Sequence, residues 1–168
     1  MKDSPVQPPF RIGHGFDIHR TGPGSAVTLG GIRIKAPFAL LGHSDADVLL
    51  HALADAILGA LALPDIGHYF PPSDPQWRGM DSRLIVEKAV ALADDAGYRI
   101  QNVDLTLITE APKIAPHREA MRERIADCLN LAAEAVGLKA TTHEQVGALG
   151  ASEGVAAQAV CLLALAKG

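Results

Sequence analysis

Asp17 and His19 stand two residues apart in the run Arg11-Ile12-Gly13-His14-Gly15-Phe16-Asp17-Ile18-His19. On a strand, residues i and i+2 point to the same face, so a carboxylate and an imidazole lie side by side. That pairing suits a divalent metal. A second cluster follows in His43-Ser44-Asp45-Ala46-Asp47-Val48-Leu49-Leu50-His51. Ser44 with Asp47 three residues on reads as a capping box that opens a helix. On that helix Asp47, His51 and Asp55 recur every four residues and share one stripe. One histidine from the stripe, joined to Asp17 and His19, makes a three-ligand site with an open fourth position. Such open sites are the mark of catalytic rather than structural zinc. Taken singly, a His near an apolar strand usually packs or faces water, and an Asp beside a turn usually bonds the local backbone. The density of such groups, two on a strand face and others on a helix stripe, shifts the weight toward a metal site.

The elements that must position these groups read as follows. Phe10 to Ile18 alternates loosely and forms the first strand, and its Gly13 and Gly15 suggest close approach of another backbone or a ligand. Val27 to Ile34 is a hairpin about Gly30-Gly31. A helix from Asp45 to about Leu61 buries Val48, Leu49, Ala52, Leu53, Ala56, Ile57 and Ala60. Asp65 to Gly79 is a long irregular stretch interrupted by Pro71, Pro72 and Pro75, and it offers Asp65, His68, Phe70 and Asp74 as ligand-type groups. Asp81 or Ser82 caps a second helix through Ala96, with Gly97 closing it. Tyr98 to Thr109 is a strand, and the Pro-bounded loop after it carries an isolated Lys113, which suits a phosphate as a point charge. A third helix begins at Pro116. Val136 to Thr142 is a strand ending in Thr141-Thr142-His143-Glu144. The tail from Val155 to Ala166 reads locally as helix or as buried strand, which periodicity cannot separate. The order is that of a single α/β or α+β domain with helices against a sheet.

Composition narrows the function. The 168 residues suffice for one domain with a real core. Aromatics are only 4% of the chain, so small and branched aliphatics must fill that core. A net charge of −4 argues against a general nucleic-acid binder. Cys128 and Cys161 lack metal-ligand spacing and read as small buried hydrophobes in a reducing, cytoplasmic compartment. No segment is long and apolar enough to span a membrane. Met1 to Pro9 reads as a short flexible extension ahead of a domain over residues 10–168.

The linked motifs Gly13-His14-Gly15-Phe16-Asp17-Ile18-His19, His43-Ser44-Asp45-Ala46-Asp47 with His51, Asp65-Ile66-Gly67 and Thr141-Thr142-His143-Glu144 closely resemble the 2-C-methyl-D-erythritol 2,4-cyclodiphosphate synthase family. The resemblance covers nearly the whole chain after residue 10. It implies a homotrimer whose mixed sheets, packed on helices, surround a central apolar cavity, with active sites between neighbouring subunits. It also implies that the tail from Val155 is a strand. The implied reaction converts 4-diphosphocytidyl-2-C-methyl-D-erythritol 2-phosphate to the 2,4-cyclodiphosphate plus CMP, in the non-mevalonate isoprenoid pathway. By position, the resemblance makes Asp17, His19 and His51 zinc ligands and Glu144 a ligand of a second ion, magnesium or manganese. Thr142 becomes a phosphate-orienting hydroxyl, and His43 and Ser44 become substrate contacts on a mobile loop. Asp65, Gly67, Phe70 and Asp74 match the substrate-binding stretch. Thr109, Ala111, Pro112, Lys113 and Ala115 match a cytosine-nucleotide pocket, with Thr141 beside it. The sequence departs from the family pattern at Ala148 and Ala151, where relatives often carry an aromatic residue and an arginine, and at His143. The metal residues alone also fit a zinc-dependent phosphoester hydrolase, and a third reading is a non-catalytic, metal-stabilised trimer that binds isoprenoid-like ligands in an apolar core. Association with other pathway enzymes is left open.

Overall fold

The computed structural model describes residues 7–166. Its centre is a five-stranded mixed sheet in the order β4-β1-β7-β5-β6. Here β1 is Phe10–Gly22, β4 is Ala39–Leu40, β5 is Tyr98–Ile108, β6 is Val136–Thr141 and β7 is Gly154–Leu165. Only β5 and β6 run parallel, while β7 pairs antiparallel with both β1 and β5. A separate hairpin joins β2 (Ala26–Leu29) to β3 (Ile32–Lys35). The helices are α1 (Val48–Ala60), the single turn α2 (Ile66–Tyr69), α3 (Arg83–Asp95), α4 (Arg118–Leu129) and the single turn α5 (Gly147–Gly150). The tail is therefore a strand, and it lies in the middle of the sheet. Its apolar run is buried by β1 and β5, which lie far away in sequence, and local composition carries no sign of either. Among residues 1–9, the first six lie outside the described residues. Pro8 and Pro9 are tied down, because their carbonyls accept from the Tyr98 hydroxyl and the Leu165 N–H.

Helix α1 lies against β1 and β7, and the contact explains both strand glycines. A methyl group built on Gly13 would stand 1.7 Å from the Ala56 carbonyl oxygen, and one on Gly15 would stand 1.9 Å from that of Ala52. The helix presents Ala52, Ala56 and Ala60 at i, i+4, i+8, and backbone meets backbone there. Two strand residues advance about 6.6 Å and four helix residues about 6 Å, so the two ladders stay in step. The same face of β1 continues into Asp17 and His19, and α1 reaches them with His51.

The start of α1 differs from the sequence reading. The helix begins at Val48, with Asp47 as its N-cap accepting from the Leu50 N–H. Ala46 has φ +58°, which breaks a helix begun at Asp45. Nor does Ser44 cap: its hydroxyl turns to His51. Asp47 also leaves the stripe expected of it. It is fully buried and accepts from the N–H groups of Gly30 and Gly31, the hairpin turn, at 3.0 and 2.7 Å. Both glycines have positive φ, as a two-residue hairpin loop requires. Asp47 thus fastens the hairpin to the helix start. Asp55 is engaged as well, accepting from the Ile66 N–H at 2.9 Å and so seating α2. The stretch read as irregular holds α2 and a short 3₁₀ turn at Pro75–Trp77.

Replacing Gly15 with Ala forces α1 off β1. We expect a stability loss of about 2–3 kcal/mol, read as a lower midpoint in urea unfolding. Burial pushes the Asp47 carboxyl up to about 6, against the pull of its three N–H partners. The folded protein then holds this proton to about pH 6, whereas the unfolded chain releases it near 3.8. The group's contribution is therefore full below the lower value and is lost as pH rises through the higher one. Melting temperatures taken from pH 4 to pH 7 should carry this falling component, and Asp47→Asn should remove it.

Candidate active site and metal centre

Asp17, His19 and His51 form the one group of three or more ligating side chains that could share a metal among the described residues. The distances are Asp17 Oδ2 to His19 Nε2 3.0 Å, Asp17 Oδ2 to His51 Nδ1 3.0 Å and His19 Nε2 to His51 Nδ1 3.0 Å. Three donors at the corners of an even triangle cannot all satisfy one another. A tetrahedral ion with bonds of about 2.0–2.1 Å would hold such atoms about 3.3 Å apart, so a small cation fits with little movement and keeps a fourth position open. The Nδ1 of His19 lies 3.0 Å from the Leu41 carbonyl oxygen. A carbonyl only accepts, so Nδ1 carries the proton and Nε2 offers its lone pair to the triangle. Burial works against the charged form of Asp17, but hydrogen bonds and charge from His19 and His51 overcome it and hold the carboxyl well below the usual carboxylate range. Burial lowers His19 while the bond and charge of Asp17 raise it, and the net shift is upward.

The triangle sits in the wall of a cavity of about 210 Å³ whose lining also includes His43, Ser44, Ile66, Gly67, Phe70 and Trp77. The loop after α2 closes it: the Gly79 N–H donates to the His43 carbonyl at 2.7 Å, and Phe70 meets Trp77 edge to face at 5.1 Å. Of the residues singled out in sequence, Asp17, His19, His51, His43, Ser44, Gly67 and Phe70 meet here. Asp65 precedes α2 without capping it through its side chain. Asp74 lines an adjoining cleft with His43 and Arg78, its carboxylate accepting from the Gln76 N–H. Sequence reasoning missed Trp77, whose signal was being the only tryptophan in an aromatic-poor chain. It also missed Met80 and Ile85, which look like ordinary core residues.

The remaining candidates gather elsewhere, beyond the ends of β5 and β6. The Thr109 N–H donates to the Thr141 carbonyl at 3.0 Å, and the Thr109 hydroxyl to the Ala111 carbonyl. Thr142 donates its hydroxyl proton to Glu144 at 3.1 Å. Glu144 is exposed and has φ +51°. Glu110 accepts from the His143 N–H at 2.7 Å, fixing this turn to the loop before α4. The peptide between Ala111 and Pro112 is cis. Lys113 and Ala115 line a second cavity with Arg118, Leu138, Lys139 and Ala140. Ile18, Ala156, Ile108 and Thr141 follow one another across β1, β7, β5 and β6. Both groups therefore lie at the same end of the sheet, three strand spacings or about 14 Å apart.

A model of the YgbB family matches residues 10–164. The chain belongs to the YgbB family. Over 154 residues it is 55% identical to the 2-C-methyl-D-erythritol 2,4-cyclodiphosphate synthase of Azotobacter vinelandii, covering 92% of this chain and 98% of that one. Over 151 residues it is 54% identical to the bifunctional enzyme IspD/IspF of Erythrobacter litoralis, covering 90% of this chain and 39% of the relative. The YgbB chain thus spans about two fifths of that bifunctional protein. The solved Plasmodium falciparum IspF, in complex with CDP, superposes with a TM-score of 0.85 at 33% identity, covering 96% of this chain and all of that one.

Replacing Asp17 with Asn keeps the side chain's shape and removes the charge that the triangle shares. We expect the variant to stay folded by circular dichroism while elemental analysis after dialysis finds most of its divalent metal gone.

Proposed function

We propose that this chain performs the reaction of the cyclodiphosphate synthases it resembles. 4-Diphosphocytidyl-2-C-methyl-D-erythritol 2-phosphate is converted to 2-C-methyl-D-erythritol 2,4-cyclodiphosphate and CMP, a lyase step of non-mevalonate isoprenoid biosynthesis. The observation that carries the reading is the three-ligand triangle in the wall of a small cavity, in a chain 55% identical to one such synthase along nearly the full length of both. An oxygen of the 2-phosphate attacks the β-phosphorus, the bond from that phosphorus to the bridging oxygen breaks, and CMP leaves with the bridging oxygen. The nucleophile is already an anion, so the site needs charge neutralisation and alignment more than a strong base.

Asp17, His19 and His51 would hold zinc, and one carboxylate with two imidazoles is a donor set that suits it. When bound, the ion supplies positive charge to an oxygen of the β-phosphate. His43 and Ser44 face the same cavity and would hold the substrate's phosphate end, with Gly67 and Phe70 against the carbon skeleton. Asp65 and Asp74 flank this wall as further substrate contacts. Glu144 would bind a second ion, magnesium or manganese, and Thr142 would orient the phosphates beside it. Thr109, Ala111, Pro112, Lys113, Ala115 and Thr141 would take the cytosine nucleotide through backbone groups and the lysine charge.

In one chain these two sets stand about 14 Å apart across the sheet, which supports assembly of the site from neighbouring copies in a homotrimer. So does the outer face of β1, where Phe10 is 61% and Ile12 72% exposed, with Phe16, Ile18 and Val160 beside them. An apolar face of this kind marks an interaction surface, here the wall of a central cavity. Two unpaired cysteines, Cys128 and Cys161, support a reducing, cytoplasmic setting. No helix among the described residues is long and apolar enough to cross a membrane. The bifunctional relative supports association with a second enzyme of the same route.

The test is phosphorus NMR of the purified protein with the cytidyl diphosphate substrate and magnesium, before and after zinc chelation. Cyclic-diphosphate resonances that grow with CMP, and stop on chelation, are the expected result. CMP with an open-chain phosphomonoester would make the protein a hydrolase instead, and intact substrate beside a folded, zinc-loaded protein would make it a binding protein.

A further inference from the structure

Ser82 occupies the N-terminal boundary of α3, where a serine ordinarily caps a helix, yet its hydroxyl makes no capping bond. It is completely buried, and its oxygen lies 2.5 Å from Asp45 Oδ1 and 2.9 Å from His51 Nε2. The carboxylate can only accept, so the Ser82 proton goes to Asp45. The Ser82 oxygen is then an acceptor, and the hydrogen between it and His51 belongs to Nε2. With Nε2 protonated, the neutral ring carries its lone pair on Nδ1, the atom that faces Asp17 and His19.

Asp45 is itself held in place. Its Oδ1 accepts from the Asp47 N–H and its Oδ2 from the Ser82 N–H, both at 3.2 Å, and its own N–H donates to the Met80 carbonyl at 3.0 Å. Ser44 offers a second acceptor 3.0 Å from His51 Nε2 and stands 3.3 Å from the Ser82 oxygen. Ser44 lines the cavity, whereas Ser82 is sealed behind it.

We propose that Asp45 and Ser82 form a fixed relay that sets the tautomer of His51, making Ser82 a positioning residue for the metal. Ser44 is the exchangeable partner, free to turn to a phosphate without releasing the ring. The relay deepens the zinc reading given above and rests on it. Outer partners of this kind hold a ligating imidazole in the right tautomer and orientation and raise its basicity, and losing one costs about 10- to 100-fold in metal affinity.

The test needs no substrate. Zinc dissociation constants are measured by competition with a chromophoric chelator, alongside NMR of protein carrying nitrogen-15 histidine. Ser82→Ala should raise the zinc dissociation constant about 10- to 100-fold and abolish the exchange-protected Nε2 proton signal of His51, with little change in the melting temperature of the metal-free protein. Ser44→Ala should keep both the zinc affinity and that signal. A Ser82→Ala protein with wild-type affinity and a retained signal overturns the relay. If Ser82→Ala does not fold, Asp45→Asn carries the test: a raised dissociation constant supports the relay and an unchanged one overturns it. A wild-type protein that binds no zinc overturns the metal reading and the relay together.

Discussion

The molecule depends on one close contact, the seating of α1 on the glycines of β1. Helix and strand meet backbone to backbone at Gly13 and Gly15, nearer than any side chain would allow. His51 can reach Asp17 and His19 only because the helix lies this low on the strand. Ala52 and Ala56 meet the strand on α1 itself, and α1 also anchors two neighbouring segments, α2 in the cavity wall and the hairpin outside it. Asp55 seats α2 through the Ile66 N–H, and Asp47 binds the hairpin turn. Loss of the contact would therefore reach the chemistry before it reached the periphery.

The electrostatics of the site follow from that geometry. An acid and two imidazoles have been brought within 3.0 Å of one another in a partly buried place. Each ring is turned so that one nitrogen faces the triangle and the other faces protein: a carbonyl for His19, and for His51 the buried Ser82 hydroxyl beside that of the cavity-lining Ser44. The chain alone can relieve the crowding of lone pairs only by borrowing a proton. A cation would relieve it better, and the outer partners of the two rings leave the inward nitrogens turned toward the place it would take.

Much of this was legible in the sequence because strand and helix periods are rigid. Asp17 and His19 share a face by the pleat, and the Gly13, Gly15 pair announces a neighbour's close approach. His51 stood out by its place on a stripe. The same stripe misled for Asp47, since a helical period says which residues share a side but not which element each side meets. The hairpin glycines that claim Asp47 lie 16 and 17 residues upstream. Ser82 was beyond reach for a related reason. Its residue type and position fit an ordinary cap, and only the folded chain shows its hydroxyl pointed at His51. The tail's local composition fitted helix and buried strand alike, because its state is decided by β1 and β5.

The alternation along β1 has a further consequence, for how the chain can change over time. Arg11, Gly13, Gly15, Asp17 and His19 look inward, while Phe10, Ile12, His14, Phe16 and Ile18 look outward. Inserting or deleting a single residue within this strand would exchange the two sets in one step. Asp17 and His19 would emerge on the apolar side, and bulky side chains would be driven into the helix. The length of this segment is thus locked, and diversification must proceed by replacement alone, most freely at the outward positions. Two surfaces with different duties are inherited as one unit, written on alternate letters of the same strand.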